Sequence, residues 1–441
     1  MNENNLNNIR KEILKLVSDY GKIAFKKSQF FPGITYIPAT GKLIDENEIV
    51  SMVDASLDGW LTSGRFNENF EITLSEFLKI KYVLTVNSGS SANLIAFNTL
   101  TSPTLKDRAI RKGDEVISVA ASFPTTVNPI IQFGAVPVFV DVILGTYNID
   151  VEKIEYAITS KTKAIFIAHT MGNPFNLKEV KNICKKYNLW LIEDCCDALG
   201  AEYEGEKIGT FGDIATLSFY PAHHVTMGEG GAVLTNNIEL KKIAESFRDW
   251  GRDCYCKPGK DNTCGKRYDW KFDDLPQGYD HKYIYTHLGY NMKITDMQAA
   301  CGLAQLRKID SFVESRRNNY KYLYEGLKSC EDFLILPYPT ENSNPSWFGF
   351  PITIRDSSPV NRLELLQYLE QEKIGTRLIF SGNIINQPYF KNLEYRVSGD
   401  LRNTDTVMNH TFALGIQPSL STDMLNYVIN KIKIYLGKDF K

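Results

Sequence analysis

The chain has 441 residues, 43% hydrophobic and 23% charged. That balance suits a globular protein able to bury a sizeable core, and the length suggests roughly two or three domains. The 50 Lys+Arg and 52 Asp+Glu give a formal net charge of −2, so no basic field points to nucleic acid or an anionic membrane.

The N-terminus, MNENNLNNIRKEILKLVSDY, is polar and then amphipathic and lacks the apolar core of a signal peptide. No apolar run approaches the ~18 residues of a membrane helix, and a cytoplasmic protein is expected. Residues 1–45 form an N-terminal helical segment, and 46–310 form a large domain. Within it, helical stretches alternate with YVLTVNS (82–88), EVISVA (115–120), VPVFVDV (136–142), KAIFIAHT (163–170) and LWLIEDC (189–195), the pattern of a mostly parallel α/β sheet. The segment 251–287 interrupts this pattern; rich in Gly, Asp, Lys, Tyr and Cys, it reads as a long ordered insertion. A helical run over 294–327 leads into a smaller C-terminal domain, 311–441, with a strand at 347–354 and helices near 361–371 and 421–435.

Three segments carry chemistry. NSGSSANLIA (87–96) follows a strand and opens a helix, where free N–H groups suit a phosphate. LIEDCCDALG (191–200) sets carboxylates at the end of an apolar strand, where ligands of α/β sheets collect. In GDIATLSFYPAHHVTMGEGGAVLTN (212–236) a strand runs into a turn with two adjacent histidines, which as residues alone suit metal ligands, general bases or solvated loop positions. Eight cysteines are present. Without a signal peptide disulfides are not expected, and Cys184, Cys301 and Cys330 sit in core-like patterns. Cys196, Cys254, Cys256 and Cys264, spaced C-x57-C-x-C-x7-C, could hold Zn²⁺ or an iron–sulfur cluster, or stand unligated; ligand type does not separate these.

These segments, with SFPTTVNPI (122–130), HTMGNP (169–174), LGYNMKITDMQAACGLAQL (288–306) and IGTR (374–377), resemble the DegT/DnrJ/EryC1/StrS sugar aminotransferases over roughly 46–390. The resemblance implies an aspartate-aminotransferase-like (type I) α/β fold and a homodimer. In that family a Ser-Phe-x-x-x-Lys run supplies the aldimine lysine. Here Ser218 and Phe219 match, Gly228, Glu229, Gly230 and Gly231 fix the register, and the lysine position holds His223. Imidazole forms no stable Schiff base but moves protons near neutrality, so loosely held pyridoxamine phosphate (PMP) and dehydratase chemistry are expected. By the same resemblance Ser90, Ser91 and Ser218 hold the phosphate, and Asn291 reaches the phosphate of the partner subunit. Phe123 stacks on the ring and Asp194 pairs with its nitrogen. Asp197 replaces a Gln or His near the ring hydroxyl. Tyr220, three residues before His223 on the same turn, is expected to line the sugar pocket and to share the catalytic role with His223, with Phe348 and Arg377 as further substrate contacts.

Within the family, the histidine and the cysteine spacing together resemble 3-dehydrases that pair PMP with a [2Fe-2S] cluster. That implies a CDP-4-keto-6-deoxyglucose substrate on a route to 3,6-dideoxyhexoses of lipopolysaccharide O-antigen, and an NAD(P)H-dependent flavin and iron–sulfur reductase as electron donor. The alternatives are a cluster-free PMP dehydratase of GDP-4-keto-6-deoxymannose and a non-catalytic relative that binds a pyridoxal compound.

Overall fold

A computed structural model describes residues 3–26, 29–254, 256, 259–263 and 265–437. Short runs rich in β-branched and apolar residues form the strands of the large sheet: β1 (Tyr82–Val86), β2 (Glu115–Val119), β3 (Val136–Val140), β4 (Thr162–Ala168), β5 (Trp190–Asp194), β6 (Ile214–Ser218) and β7 (Gly231–Thr235). The C-terminal part adds β8 (Leu334–Ile335), β9 (Gly349–Ile354), β10 (Thr376–Arg377), β11 (Arg396–Val397) and β12 (Thr411–Gly415). The large sheet runs β1-β7-β6-β5-β4-β2-β3-β11. From β6 through β11 all pairings are parallel, while β7 runs against both of its neighbours. A parallel sheet must be covered on both faces, and its strands are accordingly buried almost throughout.

The helices used below are α1 (Glu3–Ala24), α2 (Glu46–Leu57), α3 (Arg65–Leu78), α4 (Gly89–Thr99), α5 (Pro124–Phe133), α6 (Leu177–Tyr187), α7 (Ile238–Arg248), α8 (Asp296–Leu306) and α9 (Ile309–Leu327). Side chains of α4 and α7 fill one face of the sheet, among them Ile95, Ala96, Leu240 and Ile243. On the other face, α3, α6, α8 and the start of α9 contribute Phe70, Leu74, Val180, Leu303 and Val313. A second core, with Leu323, Phe350, Ile352, Leu365, Phe412 and Ile429, lies on a four-stranded sheet ordered β8-β9-β12-β10.

Past β10 the chain comes back to the large sheet. The short strand β11 pairs with β3, and the Arg396 guanidinium grips Glu115 at 2.9 and 2.8 Å, covering an edge otherwise left unpaired. The insertion is clasped at its roots by the bridges Arg252↔Tyr285 and Asp249↔Asn291. A Cβ on Gly251 would fall 1.8 Å from the His287 carbonyl oxygen, so the two ends touch backbone to backbone. Among the described residues no helix is long and apolar enough to cross a membrane.

Candidate active site

Three adjacent parallel strands, β4, β5 and β6, end at Ala168, Asp194 and Ser218, and all three residues line one cavity of about 450 Å³. The carboxyl edge of a parallel sheet is where such a cavity is expected. The N-terminus of α4 opens into it through Gly89 and Ser90. Only glycine fits at 89, because a Cβ there would lie 2.4 Å from Ser218 Cβ; α4 therefore approaches the end of β6 closely enough for both to face one anion. Ser91 stands one residue further along α4. Its hydroxyl accepts from Ser88, the N-cap of α4, at 3.0 Å, and it is not in the cavity wall. The capping side chain is Ser88, whose hydroxyl accepts the Ser91 N–H at 3.1 Å.

Asp194 is nearly buried and held from both oxygens. Oδ2 accepts from Asn93 Nδ2 at 2.8 Å and Thr126 Oγ1 at 2.7 Å, and Oδ1 from the Cys196 N–H at 3.1 Å. Thr216 donates to Asn93 Oδ1 at 2.6 Å, which fixes that amide's orientation. Asn93 and Thr126 were not anticipated from the sequence, although both lie inside quoted motifs, SGSSAN and SFPTT. One layer down, buried Glu193 accepts from His169 Nε2 at 3.0 Å and from the N–H groups of Gly209, Phe211 and Gly212. Burial alone would raise the Glu193 carboxyl, but His169 and these N–H groups outweigh it and hold it below the ordinary value.

The two histidines of the turn have opposite surroundings. His224 is buried, its Nε2 donates to the Ser346 carbonyl at 2.8 Å, and burial, with the nearby Arg316 cation, pushes it well below the usual histidine range. His223 faces the cavity. Its N–H donates to the Tyr220 carbonyl at 2.9 Å, its ring leans on Phe348 at 5.2 Å between centroids, and its Nδ1 lies 3.4 Å from Asp197 Oδ1. Asp197 thus faces the histidine. Tyr220, Phe123, Phe348 and Arg377 also line the cavity, Tyr220 and Phe123 about half exposed. Asn291 lies outside the wall, exposed, its Oδ1 accepting from Lys293 at 2.9 Å.

The cysteines divide. Cys196 lines the main cavity, where burial and then Asp194 and Asp197 push its thiol well up. Cys254 and Cys256 adjoin each other and line a separate small cavity with Arg267, His281 and Lys282. Thr263 donates to Cys256 Sγ at 3.1 Å. Cys264 lies outside the described residues.

A protein of this geometry has many relatives. "Lipopolysaccharide biosynthesis protein RfbH" of Salmonella typhimurium is 62% identical over 434 residues, 98% of this chain and 99% of that protein. "dTDP-4-dehydro-2,6-dideoxy-D-glucose 3-dehydratase" of Saccharopolyspora spinosa is 48% identical over 97% of this chain and 92% of its own length. A solved structure of E. coli GDP-4-keto-6-deoxy-D-mannose-3-dehydratase with bound hydrated PLP superposes with a TM-score of 0.81 at 30% identity, over 91% of this chain and all of that one. The pattern of the DegT/DnrJ/EryC1/StrS aminotransferase family matches residues 43–433, and the chain belongs to that family.

Proposed function

We propose that the chain is a PMP-dependent 3-dehydrase of nucleotide-linked 4-keto-6-deoxyhexoses, acting on CDP-4-keto-6-deoxyglucose. One observation carries this reading. The wall that holds Asp194 and His223 contains no lysine among the described residues. A transaminase needs an amine there to tether and regenerate its cofactor, whereas a histidine can only move protons. The 3-dehydratase names borne by the S. spinosa and E. coli proteins support the chemistry at C3.

The cavity fits a pyridine phosphate. It offers a buried carboxylate at a strand end, an open helix N-terminus beside Ser90 and Ser218, and the exposed face of Phe123. When bound, PMP supplies a primary amine for the sugar's keto carbon and a ring that serves as an electron sink. Asp194 would keep the ring nitrogen protonated, Phe123 would cover the ring, and Ser90 and Ser218 would hold the phosphate with Asn291 from the partner subunit of a homodimer. His223 would take and return the proton at C4′, and Tyr220, Phe348 and Arg377 would contact the sugar nucleotide.

The same reading assigns a [2Fe-2S] cluster to Cys196, Cys254, Cys256 and Cys264. Each iron of such a cluster takes two thiolates, and the adjoining Cys254 and Cys256 suit one of them. That pair favours the cluster-dependent reading over a cluster-free dehydratase. In the full reaction the C3–O bond breaks, the hydroxyl leaves as water, and two electrons with two protons give the 3-deoxy sugar. NAD(P)H would supply the electrons through a flavin and iron–sulfur reductase. The test is hydrogen exchange at C4′ of PMP in D₂O with CDP-, dTDP- and GDP-linked 4-keto sugars, beside iron and sulfide analysis of anaerobically purified protein. Exchange with the CDP sugar and two irons per chain are expected. Absence of exchange with all three sugars refutes the dehydrase, and absence of iron refutes the cluster.

A further inference from the structure

Arg316, on α9, is 1% exposed and lies behind the wall that carries His223. Its Nη1 donates to the carbonyls of Trp347 at 3.1 Å and Phe348 at 3.2 Å, while Nε is buried without a hydrogen-bond partner among the described residues. A buried guanidinium needs a countercharge. Burial drags this one down to about 10, and the acid that opposes the drop is Asp197. Asp197 is itself 7% exposed, with Oδ2 buried and unpartnered, and Oδ1 3.4 Å from an equally unpartnered His223 Nδ1. Backbone packing sets this arrangement independently. A Cβ on Gly200 would fall 2.5 Å from Val313 Cγ2, so α9 packs directly on the turn that presents Asp197. A Cβ on Gly172 would fall 2.1 Å from the Ser346 oxygen and 2.8 Å from the Phe348 nitrogen, which locks the 346–348 segment against the HTMGNP turn.

We propose that Arg316 is a positioning residue for the proton-transfer base. It fixes Asp197 as the carboxylate that takes the Nδ1–H of His223, and it holds the Phe348 carbonyl so that the Phe348 ring braces the imidazole. The remaining nitrogen, Nε2, then faces the cavity with its lone pair free, the arrangement a base needs. His224 does not substitute, because it is not in the cavity wall and its remaining ring nitrogen is buried. The proposal rests on the reading of His223 as the base. It adds a residue that touches neither cofactor nor substrate and acts through Asp197 and Phe348.

The tautomer of His223 is read by long-range ¹H–¹⁵N NMR of the full chain without added cofactor, its signal assigned with His223→Asn. The wild type is expected to carry the proton on Nδ1, and Arg316→Gln to lose that preference. In Arg316→Gln the C4′ exchange of PMP should fall roughly 100-fold, the scale of a misplaced catalytic group. In an Asp197→Asn background the same change should cost clearly less than in the wild type, since only the brace through Phe348 remains to be lost. Arg316→Lys, which keeps the cation, covers the case in which the glutamine variant does not fold, and it should retain the Nδ1–H tautomer. An Nε2–H tautomer in the wild type, equal costs in both backgrounds, or loss of the tautomer in folded Arg316→Lys each overturns the proposal. Absence of C4′ exchange in the wild type refutes instead the functional reading, because the tautomer signal does not depend on cofactor chemistry.

Discussion

Replacing Asp194 by asparagine tests the centre of the cavity. The change is nearly isosteric, but three donors converge on the two carboxylate oxygens, and an amide offers a single acceptor. With its oxygen toward Asn93 and Thr126, the new amide points N–H₂ at the Cys196 N–H. In the opposite orientation two donors are stranded. The first is favoured and leaves one buried donor unpaired, at a cost of about 1–3 kcal/mol. The negative charge facing the ring nitrogen is also lost, and proton transfer at C4′ should slow by roughly 100-fold or more. Thermal denaturation without cofactor measures the first effect, and C4′ exchange at saturating PMP the second. A folded Asp194→Asn protein with unchanged melting temperature and unchanged exchange would refute both the hydrogen-bond accounting and the assignment of Asp194 to the ring nitrogen.

His223→Asn should abolish C4′ exchange while leaving PMP affinity nearly unchanged; retained exchange would move the base elsewhere. Because no lysine among the described residues lines the cavity, borohydride treatment of protein incubated with pyridoxal phosphate should leave no covalent adduct in the site, which mass spectrometry checks. Cys254→Ser or Cys256→Ser should remove iron and stop reductase-driven 3-deoxy sugar formation with C4′ exchange intact; loss of exchange in a folded variant contradicts the separation of the two half-reactions. Burial pulls the Glu115 carboxyl up, but Arg396, Thr159 and Thr162 outweigh it and hold it below its ordinary value. Its contribution to stability is therefore complete above the ordinary carboxylate pKa of about 4.3 and is lost as pH falls through the depressed value. Hydrogen exchange at 396–397 should accelerate in acid before the rest of the large sheet, and Glu115→Gln should bring that acceleration to neutral pH.

The strands of the large sheet were legible because each is a short apolar run bounded by a turn or a cap, and a parallel sheet buried on both faces requires such runs. The return of β11 to the far edge was not. Two residues carry no periodicity, and the pairing depends on an ion pair 281 positions apart in sequence. In the site, the motif register singled out His223 over His224, and the structure gives the physical difference: one imidazole faces the cavity and the other is committed to a backbone carbonyl. Asp197, read as standing near the ring hydroxyl, lines the same cavity as Asp194, and its Oδ1 lies 3.4 Å from His223 Nδ1, a neighbour that the motif spacing did not reveal. Arg316 gave no signal. It sits in ESRRNN next to Arg317, and sequence alone does not distinguish an arginine fully buried behind a catalytic turn from its half-buried neighbour.

The separation of the cysteines bears on how the two halves of the proposed reaction are housed. Among the described residues, none of 251–287 lines the main cavity, so the groups assigned to proton transfer and cofactor binding all stand on strand ends, helix starts and short turns outside the insertion. The insertion is fixed at its roots, where Gly251 and Gly289 meet backbone to backbone, and it presents Cys254 and Cys256 in a cavity of their own. Cys196 is the link. Its N–H donates to Asp194 while its thiol lies in the cavity wall, so a cluster that includes it would be bonded to the same turn that orients the ring-nitrogen partner. Losing the Cys254–Cys256 pair should therefore spare dehydration. Changing Cys196 touches both halves at once, because any shift of its backbone moves the donor that Asp194 Oδ1 depends on. A serine at 196 that preserves the backbone separates these effects: C4′ exchange should survive Cys196→Ser and fail in Cys196→Pro, which removes that N–H.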